Sequence, residues 1–169
     1  MSTSNSFNYS FPYPSIAPVE IPGTHPVEVY TVKAMAPSGQ SAEALVDESL
    51  GAPIGMPRLS ELVTPNSRVL IVVDDISRPT PVHRILPPLL TELARGGARE
   101  ANIRLLIALG THRHMTREEI AARVGPSIAG RFPVANHEWA NPGALHDYGE
   151  MEGHRVLLNS AMRGADIVI

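Results

Sequence analysis

Two short, largely apolar runs, Arg68–Val73 (RVLIVV) and Asn102–Leu109 (NIRLLIAL), constrain this chain more than any other feature. Each is β-branched or leucine-rich, too short for a buried helix, and without polar alternation, the pattern of a strand covered on both faces in a parallel sheet. Each is followed by a polar loop of about six residues and then by a helix start. After the first, Thr80-Pro81 offers a hydroxyl N-cap with proline at the first helical position, and the helix runs through VHRILPPLLTELAR to Gly96-Gly97. Pro87-Pro88 is expected to kink or restart it. After the second, Thr116 and Glu119 form a capping box for EEIAARVG. Strand, helix, strand, helix with short loops implies right-handed βαβ units and an α/β fold, a mostly parallel sheet flanked by helices.

The flanking segments are read with the same rules. Residues 1–23, rich in Ser, Pro, Asn and aromatics, read as a flexible tail carrying at most one edge strand, and 24–169 as the domain. His25–Lys33 (HPVEVYTVK) alternates as a half-buried strand does. Ser41 caps a helix over SAEALVDESL that Gly51 and Pro53 stop. FPVANH, HRVLLN and ADIVI read as three further short strands.

Composition narrows the function. Fourteen basic and seventeen acidic residues give a net charge of −3, which argues against a nucleic-acid binder. No run reaches the roughly 20 apolar residues of a membrane span, and MSTSNSFNYSFPYPS has neither a basic nor an apolar signal region. A cytoplasmic protein is expected. With no cysteine, thiolate metal sites and disulfides are excluded. Lys33 is the single lysine among the basic residues, so any lysine-dependent step has one candidate.

The loops DDISRP (74–79) and GTHRHM (110–115) carry the chemistry. Both leave the carboxyl ends of parallel strands, where such sheets bind ligands, and each feeds a helix N-terminus suited to anions. Asp74 and Asp75 follow the strand directly. Ser77 and Thr80 supply hydroxyls, and Arg78 can grip a carboxylate or phosphate in bidentate fashion. The bland counterpart is a single aspartate capping a turn with Arg78 paired to it. His112, just before a helix start, is placed to act as a neutral base. His114 reads as a bystander, and His-x-His alone is a weak metal signal. His137 and Glu138 follow the FPVAN strand and either approach the same edge or cap a turn. His83 faces solvent from a helix, whereas Trp139 and Tyr148 read as packing residues. Neither G-x-G-x-x-G nor a P-loop is present.

Asp75-Ile76-Ser77-Arg78-Pro79 after VVD, and Gly110-Thr111-His112-Arg113 with Met115-Thr116 and Glu119, resemble the N-terminal domain of the nickel-pincer lactate racemase family. EALVDESLGAPIGMPRLSEL, VANHEW, GHRVLLN and ADIVI follow that domain in the same order, so the likeness spans about residues 25–169. It implies the first domain of a two-domain isomerase that inverts a 2-hydroxyacid, using a nickel-pincer nucleotide and hydride transfer to and from it. His112 would be one of two acid/base histidines and Arg78 would bind the substrate carboxylate. Asp75, Ser77 and Thr111 would line the cofactor site; Ser77 stands where the family often has threonine. The family's second catalytic histidine, its tethering lysine and a nickel-binding histidine belong to segments expected after ADIVI. Lys33 does not match the tether. The resemblance therefore implies a partner, the C-terminal part of the same enzyme, and a chain inactive without it. Two other readings compete: a non-catalytic module binding a nucleotide or organic anion, and a magnesium phosphotransfer site at Asp74-Asp75.

Overall fold

The computed structural model describes residues 6–11, 15–23, 28, 30 and 38–169. The chain divides into two compact units, Met1–Ser38 and Gly39–Ile169. In the first, β1 (Phe7–Tyr9) and β2 (Val19–Ile21) pair antiparallel with Phe7 opposite Ile21. The Tyr9 and Phe11 rings meet edge to face at 5.0 Å. Most of the strand expected at His25–Lys33, Lys33 included, lies outside the described residues.

In the second unit α1 (Ala42–Gly51) starts where expected, with the Ser41 hydroxyl accepting from the Ala44 amide at 3.1 Å. A short α2 (Leu59–Leu62) precedes β3 (Val69–Asp74). Then come α3 (Val82–Arg95), β4 (Ile103–Ala108), α4 (Arg117–Val124), α5 (Pro126–Arg131) and β5 (Val134–Asn136). β6 (Leu145–Met151) and β7 (His154–Asn159) form a separate antiparallel ribbon, and β8 (Ile167–Val168) returns to the main sheet.

That sheet has the order β5-β4-β3-β8 with every pairing parallel, so the chain is α/β as the sequence implies. β4 and β5 step outward on one side of β3 while β8 lands on the other. The order therefore reverses at β3, the position where open α/β sheets place their ligand crevice. The six-residue β3–β4 register runs from Val69 opposite Ile103 to Asp74 opposite Ala108. Both signature loops thus leave the sheet at the same level.

One face of the sheet carries the core. Val69, Ile71 and Val73 with Ile103, Leu105 and Ile107 pack with Val82, Leu86, Leu89 and Leu93, a helical stripe of α3. The other face is only partly closed: Leu70 and Leu106 are buried, but Arg104 and Ala108 are exposed. The expectation of strands buried on both faces holds for one face only.

Two details of α3 depart from expectation. The helix begins at Val82 with no side-chain cap, because the Thr80 hydroxyl turns back and donates to Asp74 Oδ2 at 2.5 Å. It then continues through Pro87 and Pro88 to Arg95 without a restart. Apolar contacts on either side outweigh the two missing N–H groups. Buried within it, Glu92 accepts from the Ser60 amide, both nitrogens of the Arg58 fork and Arg95. Ser60 first, then Arg58 and Arg95, hold its carboxyl down at about 2 against the cost of burial.

Candidate functional site

At the end of β3 the two aspartates diverge. Asp75 is 4% exposed and accepts at Oδ1 from the Ser77 amide at 2.9 Å and from the Ser77 hydroxyl at 2.5 Å. Its other oxygen, Oδ2, accepts from His112 Nδ1 at 2.5 Å. The Ser77 hydroxyl first, and then His112, hold the Asp75 carboxyl down at about 2, so it is an ionised, acceptor-only partner. An acceptor at Nδ1 assigns the ring proton there. Nε2 has no partner among the described residues, on a side chain that is 55% exposed. Asp75 does cap a turn, but with Ser77 rather than Arg78.

His112 is held from both sides. Gly110 takes a φ of 57° in the left-handed region, which lets the chain turn sharply off β4. The His112 amide then donates to the Leu109 carbonyl at 3.0 Å. Beyond the turn, Asn136 of β5 brackets Met115, accepting from its amide at 3.2 Å and donating to its carbonyl at 2.9 Å.

Asp74 borders the same hollow as Asp75 but has other partners. It accepts from Thr80 at Oδ2 and from Arg123 at Oδ1. Among the described residues no group of three or more His, Asp or Glu side chains is placed to hold a metal ion, and each of these two carboxylates accepts from donors of its own. Arg78, by contrast, makes no side-chain hydrogen bond or ion pair among the described residues and is exposed. It borders a 280 Å³ hollow shared with Asp75, Gly110, Thr111 and His112. His112 and Thr111 also border a second, open hollow of 590 Å³ with His114, Glu138, Trp139 and Asn141. The site therefore combines a histidine with a carboxylate partner, an uncommitted guanidinium and an exposed hydroxyl. That set can seat an anion and move a proton beside it.

The remaining candidates separate. His114 is exposed, and its carbonyl accepts from Arg113. Arg113 is committed to Glu119 through both its terminal nitrogens, at 2.7 and 2.8 Å, so it is no second anion grip. His137 prolongs β5, its amide bonded to the Ile107 carbonyl at 3.0 Å, and Asn159 donates to its Nδ1 at 3.1 Å. Trp139 and Tyr148 are both 47% exposed rather than packed, because each lies on a segment beyond the core sheet. Arg123 and Asn136 were missed as loop anchors. The signal for Asn136 is its place immediately after a strand; Arg123 has no sequence signal, because its acceptors are mostly backbone carbonyls 43–49 residues away.

The family described as "Lactate racemase N-terminal domain" matches residues 15–169. The chain belongs to this family. Among curated relatives it is 33% identical over 130 residues to a lactate racemase of Lactiplantibacillus plantarum, and 30% identical over 130 residues to one of Thermoanaerobacterium thermosaccharolyticum. Each alignment takes in 76% of this chain and 30% of the relative. The chain thus spans about a third of the length of the racemases it matches. The solved apoprotein of the Thermoanaerobacterium thermosaccharolyticum lactate racemase superposes with a TM-score of 0.70 at 30% identity, over 75% of this chain and 30% of that one. The Asp75–His112 pair and Arg78 lie beyond the carboxyl ends of β3 and β4, the edge at which open α/β sheets generally bind ligands. No helix among the described residues is long and apolar enough to cross a membrane.

Proposed function

We propose that this chain supplies one side of the active site of a lactate racemase-like isomerase acting on a 2-hydroxyacid. The observation that carries this is the 2.5 Å contact of His112 with the buried Asp75 beside the unpaired Arg78. Arg78 presents a planar fork that matches a substrate carboxylate. His112 Nε2 takes the proton of the neighbouring hydroxyl, and Asp75 holds the ring in the tautomer that can do so and stabilises the imidazolium formed. That nitrogen gives the proton back when the same enantiomer is re-formed, whereas the opposite enantiomer takes its proton from the second histidine.

The nickel-pincer nucleotide implied by the family fits part of this edge: the exposed Thr111 hydroxyl can donate to an anionic headgroup, next to hollows of 280 and 590 Å³. Bound there, it would supply the hydride acceptor that inversion at carbon requires. Asp75, assigned by resemblance to the cofactor, has His112 and Ser77 as its direct partners, and its contribution passes through them. Ser77 donates its hydroxyl proton to Asp75, so toward a cofactor it offers lone pairs only. Among the described residues no group of three or more metal-ligating side chains converges, so nickel would depend on the cofactor's own atoms and on further ligands. We place those ligands, the second histidine and the rest of the substrate pocket on the C-terminal part of the same enzyme.

Racemisation of lactate by this chain joined to that C-terminal part, with cofactor supplied, tests the reading. Arg78→Ala should raise KM well over tenfold, and His112→Ala should lower kcat/KM by the same large factor in both directions, because the two enantiomers have equal free energy. Full racemisation by the isolated 169 residues would contradict a shared site.

A further inference from the structure

One helix grips both signature loops. Glu119, in the first turn of α4, accepts from the Thr116 amide at 2.9 Å and takes the Arg113 fork at 2.7 and 2.8 Å, which orders the end of the 110–115 loop. Arg123 lies four residues on, one turn along the same side and about 6 Å up the axis. Its side chain is 9% exposed. Nε donates to the Asp74 carbonyl at 3.1 Å, and one terminal nitrogen donates to the carbonyls of Arg78 at 2.9 Å and Thr80 at 2.8 Å. The other terminal nitrogen donates to Asp74 Oδ1. Four bonds from one guanidinium thus fix the backbone before and after Asp75, Ser77 and Arg78. That stretch has no regular structure of its own to set its position. A lysine could not reproduce this, having three donors at one point rather than five in a plane.

We infer that Arg123 is a positioning residue, and α4 a strut that holds Arg78 and Asp75 in register with His112. The inference rests on the proposed function for what is being positioned, and on the bonds alone for the positioning. A residue that merely stabilised the fold would, when altered, loosen every element together. A strut loosens one loop.

Amide hydrogen exchange on the 169-residue chain separates these cases. The Ser77 amide donates to Asp75 Oδ1 and the Arg78 amide to the Asp75 carbonyl, so both report on the loop. Arg123→Lys and Arg123→Gln should each speed exchange at Ser77 and Arg78 at least tenfold, while Ile71 and Ile107 in the central strands keep their protection. Lactate should also perturb the Arg78 Nε–H signal with about tenfold weaker affinity in both variants. Unchanged loop exchange, uniform loss of protection in loop and strands, or failure of both variants to fold would each overturn the assignment. If wild type shows no lactate-dependent change at Arg78, the substrate reading fails, and the exchange comparison still decides the role of Arg123.

Discussion

Among the described residues, Asp75 and Glu92 are the buried acidic ones, and both owe their ionised state to specific donors rather than to solvent. Their carboxyls lie at about 2 in the folded chain against ordinary values of 3.8 and 4.5. The lowered pKa means the folded state binds protons less readily than the unfolded one. The stabilisation is complete above about pH 5 and is lost as pH falls through 4 toward 2. Thermal melts between pH 6 and 2 should show this drop, with a shallower acid limb in Asp75→Asn and in Glu92→Gln. At pH 7, Asp75→Asn should preserve the fold while costing the joined enzyme about 10²–10⁴-fold in kcat, because an amide can hold His112 in the wrong tautomer. Of these residues, His112 and Arg78 were legible from residue type and position after a strand. Residue type alone leaves Asp74 and Asp75 alike, and only the family resemblance singles out Asp75; their different partners, Arg123 and His112, come from 49 and 37 residues away.

Among the elements, β3 and β4 were legible because short, largely apolar runs admit few alternatives, and α4 because Thr116 and Glu119 form both halves of its capping box. Thr116→Ala should cost about 1 kcal/mol in denaturant unfolding. β6 escaped notice because LHDYGEM neither alternates nor avoids glycine. It exists because Met151 pairs with His154 across a two-residue turn, with Glu152 at φ 50° and Gly153 at φ 80°. α5 was missed because its start depends on Gly125, whose φ of 96° ends α4 and lets Pro126 begin a new helix. The end of α3 was foreseen at Gly96-Gly97, but not its tightness. A Cβ on Gly96 would lie 2.4 Å from the Ser60 carbonyl oxygen, which is backbone and cannot step aside. Gly96→Ala should therefore destabilise by roughly 1–3 kcal/mol, measured by urea unfolding.

At the scale of the whole molecule, the α/β class and the shared loop edge follow from the order of apolar runs, loops and helix starts. The half-open second face could not be read from that order. Leu70 and Leu106 look the same in sequence as their core-facing neighbours, and Arg104 alone hints at exposure. The topology also explains why family membership and local chemistry agree. The reversal of strand order at β3 puts Asp75 and Arg78 at the crevice, and the parallel register brings His112 up beside them. The most direct test is the interconversion of D- and L-lactate by this chain joined to the C-terminal part of its enzyme, comparing wild type with His112→Ala. Loss of at least 10²-fold in kcat/KM, equal in the two directions because the enantiomers have equal free energy, with an unchanged melting temperature, is the predicted result. Turnover of both enantiomers at the wild-type rate would contradict the role assigned to the Asp75–His112 pair.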